Sequence, residues 1–230
     1  MPFSGFGPNA LPFLKALAFH QTKEWFEAHR ATYESDLRIP MGDLVEELAA
    51  AFTHAKIPLK GDRKSSLFRI HRDVRFSKDK SPYKTNVGAV MTRMGGAKFE
   101  PGLFYVHVSP GDCMTAAGFY DPTPETLAKL RNAMARAPKA WKQTISKLAK
   151  SGLAPSQEYA MKRNPRSFED VEDEAISAAL RLKSIVVVRP LEETRIASPA
   201  LVGDLVAFAR EALPLLTWGW DAISDAREPS

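Results

Sequence analysis

The sequence predicts an α+β fold, a central antiparallel meander flanked by helices from the N-terminal, middle and C-terminal segments. Three observations predict it. Apolar residues recur at helical spacing near both ends and again in the middle of the chain. The centre switches to a period of two. The central runs are joined by short Pro/Gly turns, too short for the crossover that parallel strands need.

Leu11, Phe13, Leu14, Leu17 and Ala18 repeat at helical spacing, and Thr22 is placed to cap a second helix starting at Lys23-Glu24-Trp25-Phe26. Pro40 sits where a first helical turn tolerates it, and Met41, Leu44, Val45, Leu48 and Phe52 form the stripe of a longer helix running toward Ala55. Ile57-Pro58 ends that pattern. Val87, Ala89 and Met91 then alternate with Gly88, Val90 and Thr92, and a Gly-rich turn follows over 93–97. Residues 102–108 are a β-prone run, and Ser109-Pro110-Gly111-Asp112 turns the chain into a third strand over 113–120.

Helix returns at Thr123, which precedes Pro124 and Glu125 as a cap. Leu127, Leu130 and Met134, then Trp141, Ile145 and Leu148, supply two amphipathic faces. A short helix is expected over 173–180, and residues 183–189 are the clearest β-branched run. The last helix is predicted from Pro199 to about Leu216, with Trp218-Gly219-Trp220 packing it onto the core. Residues 1–221 read as one domain, with a tail from 222 to 230 expected to fray.

A composition of 44% hydrophobic and 26% charged residues is that of a globular chain and argues against disorder. No run of 18 apolar residues occurs, so no membrane span is expected. The first 20 residues contain Pro2, Gly5, Gly7, Pro8 and Pro12 with no basic stretch before an apolar block, so a cytoplasmic location is expected. Cys113 is the single cysteine, which excludes an intrachain disulfide or thiolate cluster and reads as a small buried hydrophobe. The five histidines show no metal-ligand spacing, no P-loop or dinucleotide motif is present, and the sequence names no cofactor.

The charge is localised. Residues 60–84 hold nine Lys or Arg against three acids, so this stretch carries +6 while the chain as a whole carries +5. Arg69, Arg72, Arg75 and Lys78 recur at every third position, interleaved with Phe68, Ile70, Val74 and Phe76 that would anchor the backbone. Guanidinium groups held this way suit carboxylate or phosphate oxygens, because the planar fork pairs bidentately and keeps its charge. A polar turn is expected at 77–81, its amides adding donors for an anion.

The string Phe68-Arg69-Ile70-His71-Arg72-Asp73-Val74-Arg75-Phe76-Ser77-Lys78-Asp79-Lys80-Ser81-Pro82-Tyr83-Lys84 resembles the signature of a bacterial family catalogued as domain of unknown function 2461. Weaker matches are Glu24-Trp25-Phe26, Gly118-Phe119-Tyr120-Asp121-Pro122 and Asn164-Pro165-Arg166-Ser167-Phe168, where a glycine is expected in place of Ser167. The resemblance implies a shared fold and a shared site at Arg69, Arg72, Asp73, Arg75, Asp79, Lys80 and Tyr83, and no activity.

Three readings of the segment stand open. In the first, Arg69, Arg72, Arg75 and Lys80 clamp a phosphorylated or carboxylated small molecule, Asp73 or Asp79 serves as base or Mg²⁺ ligand, and Tyr83 donates a hydrogen bond or proton. An arginine beside Asp73 would lower its pKa and weaken it as a base, and two aspartates are too few for a protein metal cage. In the second, the arginines pair internally with Asp73, Asp79, Glu24 or Glu27 and tie the sheet to the N-terminal helices. In the third, Phe76 and Tyr83 stack on single-stranded nucleic acid while the cations hold its phosphates. His71 is expected to be a solvated or packing residue.

Overall fold

A computed structural model describes residues 2–75, 79–95, 100–158 and 160–224. Helices α1 (Ala10–Phe19), α2 (Lys23–Ala28), α3 (Arg30–Tyr33) and α4 (Ile39–His54) precede strands β1 (Val87–Thr92), β2 (Leu103–Val108) and β3 (Met114–Phe119). Then come α5 (Pro124–Arg136), α6 (Pro138–Ala149), α7 (Glu174–Leu180), β4 (Ile185–Pro190), α8 (Glu193–Ile196) and α9 (Leu201–Ser224). The strands form one antiparallel sheet in the order β1-β2-β3-β4, so the α+β meander read from the sequence is present. Two compact units group the described residues of 1–98, 104–115 and 189–208, and those of 99–103, 116–188 and 209–230.

In the first unit, Thr22 caps α2 by accepting from the Trp25 amide at 3.2 Å. Phe13 of α1 gathers Trp25, Phe26 and Tyr33 at ring separations of 5.5, 6.2 and 5.9 Å, which fixes α1 to α3 around one aromatic cluster. Pro40 lies in the first turn of α4, as the sequence suggested. α3 runs into α4 through a π-helical turn at Glu34–Arg38. The physical reason lies at Asp36, whose carbonyl would bond an amide that Pro40 lacks. That carbonyl instead accepts from the Gly7 amide at 3.0 Å, so the wider turn leaves no carbonyl stranded.

β2 alternates as its sequence requires. Phe104, Val106 and Val108 are buried, while Tyr105 and His107 on the opposite face are half-buried. Phe104 meets Phe52 at 5.3 Å and Phe208 at 6.0 Å. β1 is buried at all six positions, because bridges Lys60↔Thr92 and Leu67↔Ala89 lay the preceding chain along it. Cys113 is 5% exposed, its thiol donates to the Ser109 carbonyl at 3.2 Å, and burial pushes its pKa up, as the reading of an inert buried residue requires.

In the second unit, Thr123 and Asp173 cap α5 and α7 by accepting from the Thr126 and Ile176 amides at 3.2 and 3.3 Å. α9 extends to Ser224, past the end predicted near Leu216, with Pro214 inside it. The extension has a packing cause: Trp220 is 6% exposed and its indole N–H donates to the Pro101 carbonyl at 3.0 Å. Trp218 packs on Trp141 at 4.6 Å. Of the tail expected to fray, 222–224 are helical and 225–230 lie outside the described residues. Among the described residues no helix is long and apolar enough to cross a membrane.

Candidate functional site

The basic segment belongs to the first unit and folds as an extension of β1 that doubles back. The Phe68 amide donates to the Gly88 carbonyl at 3.0 Å, and two further bonds, Arg72 amide to Pro82 carbonyl and Lys84 amide to Ile70 carbonyl, are each 2.8 Å. With the bridge His71↔Tyr83 they set 70–72 antiparallel to 82–84, next to the described residues 73–75 and 79–81. Phe76, Ser77 and Lys78 lie outside the described residues, so of the polar turn expected at 77–81 only 79–81 is described.

Local pairs join the described residues 72–75 and 79–81. Asp73 is bidentate to Arg75, at 3.0 Å to Nε and 2.7 Å to Nη2, and also accepts the Arg75 amide at 3.2 Å. The Arg75 guanidinium and amide hold the Asp73 carboxyl at a pKa of about 2. Asp79 accepts the Ser81 amide at 2.9 Å through one oxygen and pairs with Arg72 Nη1 through the other. Its pKa is also lowered, first by Ser81 and then by Arg72. The Lys80 ammonium donates to the Val74 carbonyl at 2.9 Å. Both carboxylates are therefore ionised and hydrogen-bonded at neutral pH, which makes them weak bases.

Tyr83 is placed differently from its expected role. Its residue is 3% exposed and its ring stacks on Phe26 at 4.5 Å with a 13° interplanar angle. Its amide donates to Gln21 Oε1 at 3.0 Å, and burial, followed by the charge of Glu27, pushes its phenol pKa up. A ring covered this way presents no open face to a nucleobase. Glu27 pairs with Arg30 at 2.6 Å, and Arg30 lies 5.6 Å from the Phe26 ring centroid. The link between this segment and α2 thus runs through the Tyr83–Phe26 stack. His71 is exposed, its ring 5.2 Å from that of Tyr83.

Three cations remain together. Arg69 forms no close ion pair among the described residues, its charge acting on Asp73 from further off, and Lys84 is half-buried with its ammonium 5.4 Å from the Phe68 ring centroid. Burial depresses the Lys84 pKa, and the nearby charges of Arg72 and Arg69 depress it further. Lys84 was counted in the charge of the segment but not foreseen as a site residue. A second polar group was missed altogether. The Tyr105 hydroxyl lies 2.9 Å from His107 Nδ1, Asn86 Nδ2 lies 3.3 Å from the same nitrogen, and Asp112 lies 4.0 Å from His107 Nε2. Burial lowers the His107 pKa against the opposing pull of Asp112. Tyr105 packs edge-on to Phe68 at 5.9 Å. The signal for this group is the period-two placement of Tyr105 and His107 between Phe104, Val106 and Val108.

Among the described residues no cluster of three His, Cys, Asp or Glu side chains could hold a metal ion. No curated protein and no solved structure matches this chain. The family described as Conserved hypothetical protein (DUF2461) matches residues 9–218, the central signature and the elements on both sides of it included, and the chain belongs to that family.

Proposed function

We propose that this protein binds a phosphorylated or carboxylated small molecule, with Arg69, Arg72 and Lys84 as its anion ligands. The observation that carries the reading is the gathering of these three cations with Asp79 as the single carboxylate bonded to any of them among the described residues. Lys84 is half-buried, and burial and two guanidinium neighbours all disfavour its ammonium form. An anion placed among the three would relieve that repulsion and form charge-assisted hydrogen bonds. Arg75 and Lys80, which the sequence also offers as ligands, are engaged by Asp73 and the Val74 carbonyl. The lone Cys113 suits a reducing, cytoplasmic setting.

Calorimetric titration with inorganic phosphate, and then with phosphorylated and carboxylated metabolites, tests the proposal. Phosphate should bind at low salt, and Arg69→Gln should weaken it by about tenfold or more, the scale of one lost charge-assisted hydrogen bond. Phosphate that leaves the protein unchanged, or an affinity indifferent to Arg69→Gln, would refute it. Tight salt-sensitive binding of oligothymidylate without phosphate binding would favour the nucleic-acid reading instead.

A further inference from the structure

The Tyr105–His107 pair and Lys84 meet the same side chain, Phe68. Phe68 lies 5.4 Å from the Lys84 ammonium on one count and 5.9 Å from the Tyr105 ring on the other. Asn86, which reaches His107, follows Lys84 by two residues, a separation of about 7 Å in extended chain. A ligand of ordinary metabolite size whose anionic end sits on Lys84 therefore extends toward Tyr105.

The hydrogen bonding of this pair decides what it asks of a ligand. Burial lowers the His107 pKa and so favours the neutral ring, in which one nitrogen carries a proton and the other accepts. Nε2 faces the Asp112 carboxylate at 4.0 Å, which favours the proton on that nitrogen. Nδ1 is then the acceptor, and it is approached by two donors, the Tyr105 hydroxyl at 2.9 Å and the Asn86 amide nitrogen at 3.3 Å. With its proton committed to His107, the Tyr105 oxygen meets any further group as an acceptor. A phosphoryl or carbonyl oxygen would be repelled there, whereas a hydroxyl would donate. Gly88 lets the Tyr105 hydroxyl come this close to the strand, since a Cβ at position 88 would lie 2.5 Å from it.

We infer that the ligand held by Arg69, Arg72 and Lys84 carries a hydroxyl group bound by Tyr105 and oriented by His107, which makes it a hydroxylated anion such as a polyol phosphate, a sugar phosphate or a hydroxy acid. The inference rests on the anion reading above and adds the second group of the ligand. Tyr105 acts as a specificity-determining residue, His107 and Asn86 as positioning residues.

Two phosphate monoesters with the same carbon chain separate the claims: glycerol 1-phosphate, which has two hydroxyls, and propyl phosphate, which has none. Titrated into the full chain, glycerol 1-phosphate should bind about tenfold more tightly, the worth of one well-placed hydrogen bond in a site built for it. Tyr105→Phe should erase the preference while inorganic phosphate binds as before, which also reports that the variant is folded. Gly88→Ala should erase it too, by displacing the hydroxyl without removing it. Arg69→Gln should weaken both esters equally. Equal binding of the two esters to the unaltered protein overturns the inference and leaves the anion site standing, as does a preference that survives Tyr105→Phe. If neither ester nor phosphate binds, both readings fall.

Discussion

Tyr83 shows how one residue of a signature can serve the scaffold while its neighbours serve a ligand. Its sequence neighbours Lys80 and Lys84 are cationic, yet its own ring is buried on Phe26 and its amide is held by Gln21. The side chain therefore acts through packing, and its two variants should diverge. Tyr83→Ala removes the buried stack and should cost about 3 kcal/mol or more in urea denaturation. Tyr83→Phe keeps the stack and should leave both stability and phosphate affinity close to those of the unaltered protein. A loss of phosphate affinity in Tyr83→Phe would return the hydroxyl to the site. Arg75 and Asp73 make the same point from the surface, as both are exposed and paired with one another, so this local pair contributes little to global stability.

Among the elements, β3 and β4 illustrate what the alternating pattern leaves unsaid. Gly118 in β3 has φ +138, and a Cβ there would lie 2.2 Å from the Ile185 carbonyl oxygen of β4. No other residue fits this close approach of two backbones without moving one strand. Gly118→Ala should therefore lower stability by about 2 kcal/mol or more, read from the urea midpoint, with β4 amides losing protection in hydrogen exchange. Unchanged protection would mean the strands tolerate the methyl. The helical run through Pro40 belongs to the same scale. Met41 to Phe52 at helical spacing is enough to predict α4, but the π turn before it depends on Gly7 reaching the carbonyl of Asp36 from 29 residues away.

For the molecule as a whole, stability should fall in two steps as the pH drops. His107 has a folded pKa below its ordinary value, so its contribution is present above about pH 6.5 and is lost as the pH falls through the depressed value. Asp79, Asp173 and Asp204 also have lowered pKa values, from Ser81, Lys142 and Arg195 respectively. Their contribution is present above the ordinary aspartate value near pH 4 and is lost below it. Urea midpoints measured from pH 8 to pH 3 should show both steps, and His107→Gln should remove the upper one alone. An upper step that persists in His107→Gln would assign it to another group. The sequence by itself determined the order of helices and strands, the family and the placing of the positive charge within residues 60–84, because periodicity, capping residues and a long signature are local properties of a chain. It did not determine which cations a ligand would meet. That was decided where the backbone folded 70–72 against 82–84 and laid 67 beside 89: Asp79 and Asp73 then fell to Arg72 and Arg75, while Lys84 came against Phe68. Hydrogen bonds and ion pairs depend on distances of a few ångströms between residues far apart in the chain, and only tertiary structure sets those distances.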